Sequence, residues 1–333
     1  MNETAGKAVP PAPEDGAPVR KKRKPSGRLE ARLGLLLGVG GLIASRLGQL
    51  WIAFDVFAQF TLQFAIVTVA FLVALIMPRA KLLTAFLIIV TGVVGIGLWP
   101  HIATRQAYNL SPVPAGSREI RVTSFNTWYS NQNVAAVQAE IERIDADIVT
   151  LVEVGPNKKP ALEALKGRYP HQVTCFTMDY CNLAILSKFP IADSEARVGW
   201  EGPPMIRARL GPELDGLTVI GAHTIRFPHS RAQLRQVTAL AGLIENLPGR
   251  KLVMGDFNAT PFSRIVTDLV ARAGLVRLSS LPSWPTRLGL PQVAIDHVFV
   301  SEGIIATQSQ QIGEPAGSDH YPVSLSIAVP VGP

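Results

Sequence analysis

Several apolar runs in this chain stop on a residue that can do chemistry. VTSFN ends on Asn126, DIVTLVE on Glu153, LTVIGAH on His223, and KLVMGDFN on Asp256 and Asn258. Nearer the C-terminus, VAIDHVFV carries Asp296 inside an apolar run, and GSDHYPV sets Ser318, Asp319 and His320 just before another. Taken singly, each has an ordinary explanation as a turn residue, a cap, or a core histidine satisfied by a carbonyl. Asp256 and Asn258 stand one residue apart at the carboxyl end of a run, so in a strand they point the same way. Independent origin of so many acid, amide and imidazole ends is a poor explanation. Together they suit acid–base work and a hard, oxygen-loving cation; no cysteine–histidine cluster has the spacing of a zinc site.

Such residues need strands to hold them. Glu119–Phe125 (EIRVTSF) alternates like a strand, Asp147–Val152 (DIVTLV) reads as a buried one, and Val134–Ile144 has helical periodicity with Asn133 as its cap. Further strands are predicted at Gln172–Phe176, Leu183–Ser187, Met205–Leu210, Leu217–Ala222, Lys251–Met254, Ala294–Val300 and Val323–Val329, with a helix at Ser230–Leu247. Many strands with a few interleaved helices, over roughly 215 residues, predict one α/β or α+β domain with a large packed sheet system. There is no Gly-rich phosphate loop of the Walker or dinucleotide type, which weakens nucleotide-fold readings.

The N-terminal third differs in kind. Residues 33–99 hold only Arg46, Asp55, Arg79 and Lys81 as charged side chains, too few for a water-facing surface. A spanning helix needs about 20 apolar residues to cross a hydrocarbon core of about 30 Å, and 33–54, 56–77 and 82–99 are each predicted to span. The first carries Arg46 past its middle, so the guanidinium reaches for the interface or the segment lies shallow. Cytoplasmic flanks collect Lys and Arg. RKKRK at Arg20–Lys24, with Arg28 and Arg32, marks the tail, and Arg79 and Lys81 mark the hinge between the second and third runs. Three spans place both in the cytoplasm, whereas two would break the rule. The expected organisation is a disordered basic cytoplasmic tail (1–32), three transmembrane helices in a bacterial inner membrane, a linker (100–117) and a periplasmic or otherwise extracytoplasmic domain (118–330). A cleaved signal peptide fits less well, since no small-residue cleavage site follows a short apolar region.

The net charge of +7 belongs to this topology rather than to a nucleic-acid face: residues 1–100 carry 11 Lys+Arg against 5 Asp+Glu, and residues 101–333 carry 21 against 20. Cys175 and Cys181 lie in CFTMDYC. Two cysteines, close in sequence and in an oxidising compartment, point to a local disulfide; the alternative is two unrelated buried thiols.

The ordered set SFN, VTLVE, GAHT, MGDFN, AIDHVFV and SDHYPV resembles the endonuclease/exonuclease/phosphatase superfamily, which includes deoxyribonuclease I, abasic-site endonucleases, neutral sphingomyelinases and inositol polyphosphate 5-phosphatases. The resemblance covers Arg118 to Val329. It implies a four-layer α/β sandwich, two packed β-sheets flanked by helices, with a site at one end of the sheets. His223 matches the histidine of the deoxyribonuclease and sphingomyelinase branches, where abasic-site endonucleases usually carry tyrosine.

The chemistry agrees with that implication. Phosphodiester hydrolysis needs charge neutralisation on the phosphoryl oxygens, an aligned water and a protonated leaving group. Few hard oxygen ligands suit Mg²⁺, with Mn²⁺ as an alternative. On this reading Glu153 is the carboxylate ligand, with Asn126 and Asp319 as direct or water-mediated partners. Asp256 holds or deprotonates the water, Asn258 fixes a phosphate oxygen, and Asp296 orients His320 and favours its imidazolium. His223 protonates the leaving group or contacts phosphate, with Asp179 a bare guess for its orienting carboxylate. His297 is assigned a structural role, and His101, His171 and His229 surface or cap roles. Arg226 reads better as a solvated loop residue than as a phosphate contact, and Trp284 equally as cleft wall or core. The expected activity is a membrane-anchored, nuclease-like phosphodiesterase. The alternatives are a phospholipid or sphingolipid phosphodiesterase or phosphatase, and a tethered binding module with a decayed site.

Overall fold

Short runs rich in Val, Ile and Leu form two sheets. The computed structural model describes residues 27–76, 112–176, 178–279, 281–289 and 291–332. In chain order the strands are β1 (Ser117–Asn126), β2 (Ile148–Val152), β3 (His171–Thr174), β4 (Leu183–Ser187), β5 (Ile191–Arg197), β6 (Met205–Leu210), β7 (Thr218–His223), β8 (Lys251–Asp256), β9 (Leu275–Arg277), β10 (Asp296–Ser301), β11 (Ile305–Ala306), β12 (Gln311–Ile312) and β13 (Val323–Pro330). The first sheet has the order β11-β13-β1-β2-β4-β3, with β12 also paired to β13; the second runs β5-β6-β7-β8-β10-β9.

Each sheet is built around one parallel pair, β1 with β2 and β7 with β8, flanked by antiparallel neighbours. Parallel neighbours require a crossover, supplied here by the helices Val134–Ile144 and Ser230–Glu245. The first starts where the Asn133 side chain accepts from Ala136 N–H, and ends where Asp145 turns left-handed at φ 51°. Between the sheets, Ile120, Val122, Ile148 and Ile185 meet Ile206, Val219, Leu252 and Val298. On the outer face of the second sheet, Leu240 and Ile244, with Ile265 and Leu269 of the helix Arg264–Ala273, cover Ile220, Val253 and Phe299. Val137, Ile141 and Leu162 cover Phe125, Val149 and Leu186 of the first. The layers are therefore helix, sheet, sheet, helix. The bridge is present, with Cys175 and Cys181 joined across a Cα–Cα distance of 5.7 Å.

The N-terminal expectation needs correction. The first apolar run forms a helix from Gly27 to Leu47, starting inside the expected tail and stopping short of residue 54. Residues 52–58 turn as two short helical pieces, Ile52–Phe54 and Asp55–Ala58, and a second long helix covers Thr61–Ile76. No single helix among the described residues is long and apolar enough to cross a membrane; the bent pair Ile52–Ala58 and Thr61–Leu75 meets that measure jointly, with a 60° break. The expected third span, 82–99, lies outside the described residues, as do His101 and most of the tail. The two long helices pack closely: a Cβ on Gly38 would fall 2.8 Å from the backbone nitrogen of Thr68. The break has a physical cause. Asp55 and Gln59, both buried, are polar residues that an uninterrupted apolar span would leave without partners, and the turn hands them to Thr260, Ser263 and Arg264 of the two-sheet domain.

Candidate active site

The parallel pairs decide where the chemistry sits. β1 ends on Asn126, β2 runs into Glu153, β7 ends on His223 and β8 on Asp256, so four side chains emerge at the carboxyl ends of adjacent parallel strands. Register completes the set: His223 pairs with Asp256 across β7 and β8, and Asp256 with Asp296 across β8 and β10. Ser318–His320 precede β13, whose antiparallel pairing with β1 returns them to the same end. Glu153 and Asn258 adopt left-handed backbone, at φ 55° and 47°, which ends each strand abruptly. Gly255 is required here: at φ 146°, a Cβ would lie 2.0 Å from the Ala222 carbonyl oxygen of β7.

The two sheets touch through Asn126. Its Nδ2 donates to Glu153 Oε1 at 3.2 Å and to Asp256 Oδ2 at 3.0 Å. Its Oδ1 accepts from Trp128 N–H at 2.9 Å, and Tyr129 N–H donates to Glu153 Oε2 at 3.0 Å. His223 Nε2 lies 3.7 Å from Glu153 Oε1 and 3.9 Å from Asp256 Oδ2. His320 Nδ1 meets Asp296 Oδ2 at 2.7 Å while its Nε2 stands 3.7 Å from Asp256 Oδ2. Asn258 N–H donates to Asp256 Oδ1 at 2.8 Å, and Asn258 Nδ2 to the Thr224 carbonyl at 3.0 Å. A cleft of about 580 Å³ opens on this set, lined also by Ile225, Arg226, Phe227 and Trp284.

Burial and charge tune these groups apart. Burial, reinforced by Asp296, pushes the Asp256 carboxyl up to about 6 against the pull of His320 and His223. Burial would lower His320, but Asp296 and Asp256 outweigh it and push the imidazole up to about 10. For Glu153, burial acts upward, yet His223, the Tyr129 N–H and Asn126 prevail and hold the carboxyl below its ordinary range. The site thus has one carboxylate that stays ionised, one that can trade a proton near neutrality, and one imidazolium.

The profile of the Endonuclease/Exonuclease/phosphatase family matches residues 123–320. The chain belongs to this family. Its members are metal-dependent phosphoric ester hydrolases, and the chain is such an enzyme. Among solved structures it is similar to sphingomyelinase C from Streptomyces griseocarneus, at 17% identity over 63% of this chain and 99% of that one, with a TM-score of 0.50. It is also similar to a beta toxin from Staphylococcus aureus with bound magnesium ions (14% identity, 62% and 99% covered, TM-score 0.50) and to humanized D. rerio TDP2 (15% identity, 63% and 98% covered, TM-score 0.51). At these identities the likeness is one of fold. No curated protein matches the chain.

The family's divalent metal fits the residues present. Glu153, His223 and Asp256 bring potential ligand atoms within 4.8 Å of one another, as do Asp256, Asp296 and His320. Half-buried Glu153 and buried Asp256 converge there with the neutral amide of Asn126 between them, a charge arrangement that a divalent cation completes. Asn126 presents its NH₂ group, not its carbonyl oxygen, to Glu153 and Asp256, while Oδ1 accepts from Trp128 N–H, so in this rotamer it positions the carboxylates rather than ligating beside them. Asp319 lines the cleft, outside both groups, and accepts from Trp284 Nε1 at 3.3 Å.

Trp284 is thereby cleft wall, and Arg226 is at once exposed and cleft-lining. Asp179 is exposed, and no hydrogen bond or ion pair joins it to His223 among the described residues. His297 is structural, as expected: its Nε2 meets the Ala259 carbonyl at 2.8 Å, and burial pushes it down to about 3. His229 takes the cap position of the helix Ser230–Glu245 without a side-chain bond, while His171 starts β3 rather than capping a helix. Sequence reasoning missed Lys158. Its buried ammonium donates to the carbonyls of Trp128 and Tyr129, at 2.9 and 3.3 Å, and so braces the loop whose N–H binds Glu153. A lysine in PNKK after the Glu153 strand offered no periodic signal for that role.

Proposed function

We propose that the chain is a membrane-anchored, Mg²⁺-dependent hydrolase of phosphodiesters whose site lies outside the cytoplasm. The convergence of Glu153, Asp256 and the Asp296–His320 pair at one end of both sheets carries the catalytic part. The charge pattern of residues 1–100 supports the anchor, and the Cys175–Cys181 bridge supports an oxidising compartment.

Mg²⁺, or Mn²⁺ in its place, held by Glu153, which Asn126 positions, would neutralise charge on the phosphoryl oxygens. The remaining work belongs to side chains of the chain itself. Asp256 has Oδ1 held by Asn258 N–H and Oδ2 held by Asn126 Nδ2; the second lone pair of Oδ2, which faces His223 and His320, aligns a water and accepts its proton. His320, protonated through neutral pH, offers Nε2–H to a phosphoryl oxygen. Asn258 has one amide N–H tied to Thr224 and one left for phosphate. His223, between Glu153 and Asp256, delivers a proton to the departing oxygen. The water oxygen bonds to phosphorus, one ester P–O bond breaks, one water proton passes to Asp256 and the leaving oxygen gains one from His223. The products are a phosphomonoester and an alcohol.

A nuclease-like substrate range rests on family membership alone. With 21 Lys+Arg against 20 Asp+Glu, residues 101–333 provide no excess of positive charge for a long polyanion. A decayed site is disfavoured because Glu153, Asp256, Asn258, Asp319 and His320 are all present, where decay would have removed at least one. The test uses purified full-length chain with bis(p-nitrophenyl) phosphate, in Mg²⁺ and in chelator. Turnover in Mg²⁺ that chelator abolishes is expected. Glu153→Gln should lower metal affinity by at least about 10–100-fold, the scale known for weakened metal sites, and recover part of its rate at high Mg²⁺. Turnover indifferent to chelator would remove the metal; no turnover at all would remove the hydrolase.

A further inference from the structure

The short turn between the two N-terminal helices has two unlike faces. Asp55, Ala58 and Gln59 point into the catalytic domain and are buried, whereas Trp51, Phe54, Phe57 and Phe60, spaced at three-residue intervals, face outward. The buried face is specific. Asp55 Oδ2 accepts from Ser263 Oγ at 2.5 Å and its Oδ1 from Arg264 N–H at 2.7 Å, which caps the helix Arg264–Ala273 from a distant part of the chain. Gln59 Oε1 accepts from Thr260 N–H at 2.7 Å, and Thr260 Oγ1 donates to the Ala58 carbonyl at 3.1 Å. These contacts grip residues 260–264, directly after the GDFN segment that supplies Asp256 and Asn258. The turn is therefore fixed to the domain beside the active site.

The outward face is aromatic and uncovered. Trp51 is 61% exposed and Leu50 70% exposed. Below it run the two helices, whose free faces show Leu36, Leu37, Ile43, Val69 and Leu72, with no charged side chain from Val56 through Ile76. Aromatic residues at the end of apolar helices are what a membrane–water interface selects. The aromatic face also reaches the cleft: the Phe60 ring meets that of cleft-lining Phe227 edge-on, at 6.0 Å between centroids, and neighbouring Ile225 is exposed at the mouth. One apolar surface thus runs from the helices, through the turn, to the entrance of a polar site.

We infer that this turn seats the catalytic domain with its cleft opening along the bilayer surface, and that the substrate is a phosphoester in the headgroup of a membrane lipid. This rests on the hydrolase reading above. The lipid reaches the site by lateral diffusion, its acyl chains staying beside the apolar helices while the phosphate passes Ile225 and Phe227 to reach Asp256 and His320. Exposed Arg226 at the cleft gives the anionic headgroup its first counter-charge.

The experiment uses full-length chain reconstituted into vesicles of phosphatidylethanolamine, phosphatidylglycerol and cardiolipin. Loss of each lipid is followed by mass spectrometry, beside turnover of a dibutyryl analogue of each lipid, a single-stranded DNA oligonucleotide and bis(p-nitrophenyl) phosphate. The expected result is that a vesicle lipid is consumed at least about tenfold faster than its soluble analogue, because interfacial seating supplies the substrate. Trp51→Glu and Phe57→Glu change exposed side chains outside the cleft. Each should cut lipid turnover by about tenfold or more while leaving bis(p-nitrophenyl) phosphate turnover within about twofold. Vesicle lipids left intact while the oligonucleotide or the soluble ester is hydrolysed would overturn the proposal, as would equal loss on both substrates in the two variants. Failure on every substrate would instead strike the hydrolase reading beneath it.

Discussion

Replacing Asp296 by asparagine isolates the charge that holds His320. Asp296 Oδ2 meets His320 Nδ1 at 2.7 Å with both side chains buried, whereas Asp256 lies 3.7 Å from the other ring nitrogen. Raising the imidazole from 6.5 to about 10 corresponds to about 5 kcal/mol of preference for the charged ring. The shorter, aligned contact should account for most of it. In Asp296→Asn burial acts against Asp256 and the weaker pull of Asp319, so the imidazole should lose most of its upward shift and be largely neutral at pH 8. The folded value is raised, so the stability from this pair is complete below about pH 6.5 and is lost as pH rises through about 10. Wild type should therefore exceed Asp296→Asn by about 3–5 kcal/mol at pH 6. That gap should narrow steadily between pH 7 and 10. Nitrogen-15 NMR of the imidazoles, with His320→Gln to assign the signal, reads the protonation state, and urea unfolding across the pH range reads the stability. If turnover needs the imidazolium as a donor to phosphate, kcat should fall by about 10²–10³-fold. A His320 ring still protonated at pH 8 in Asp296→Asn would refute the reasoning, because its charge would then come from elsewhere.

Two further outcomes are expected. A general acid matters by about 10²–10⁴-fold when the leaving group is poor and far less when it departs readily as an anion; His223→Ala should therefore be badly impaired on an alkyl phosphodiester and only mildly on a p-nitrophenyl ester, while Asp256→Asn fails on both, and equal losses for His223→Ala would make it a phosphate contact instead. Asp55→Ala should destabilise the folded chain by about 1–3 kcal/mol for each donor it orphans, Ser263 Oγ and Arg264 N–H, seen as a lowered denaturation midpoint; an unchanged midpoint would show that the turn does not cap that helix.

Much of the catalytic end was legible because the central strands are buried. β2 is buried along its whole length and reads as an apolar run broken only by Thr150, so the charged residue that follows it, Glu153, stands out. The same contrast exposes His223 after β7 and Asp256 at the end of β8. Peripheral strands lack it. β5 is half exposed and mostly polar, and β9, β11 and β12 are two or three residues long, below what a period can reveal. The helix Arg264–Ala273 was missed for a related reason. It begins two residues after a Pro-Phe turn and is capped by Ser263, a signal weaker than the GDFN motif just before it.

The N-terminal region shows a different limit. Its composition announces apolar helices, and residues 33–99 were divided into spans by counting charges. By that count Asp55 is only an interruption between two runs, and Gln59 is invisible because it carries no charge. Their role depends on Thr260, Ser263 and Arg264, some 200 residues away in sequence, and no local pattern encodes a contact over such a separation. A polar residue inside an apolar stretch has two physical fates, a water-filled exit or a partner that replaces water. Asp55 takes the second, and its partner is the loop that follows Asp256 and Asn258. The same two hydrogen bonds that make the turn costly to leave unpaired also tie the exposed aromatic surface to the rim of the active site, which is why the break between the helices falls at Asp55 and not at the glycines earlier in the run.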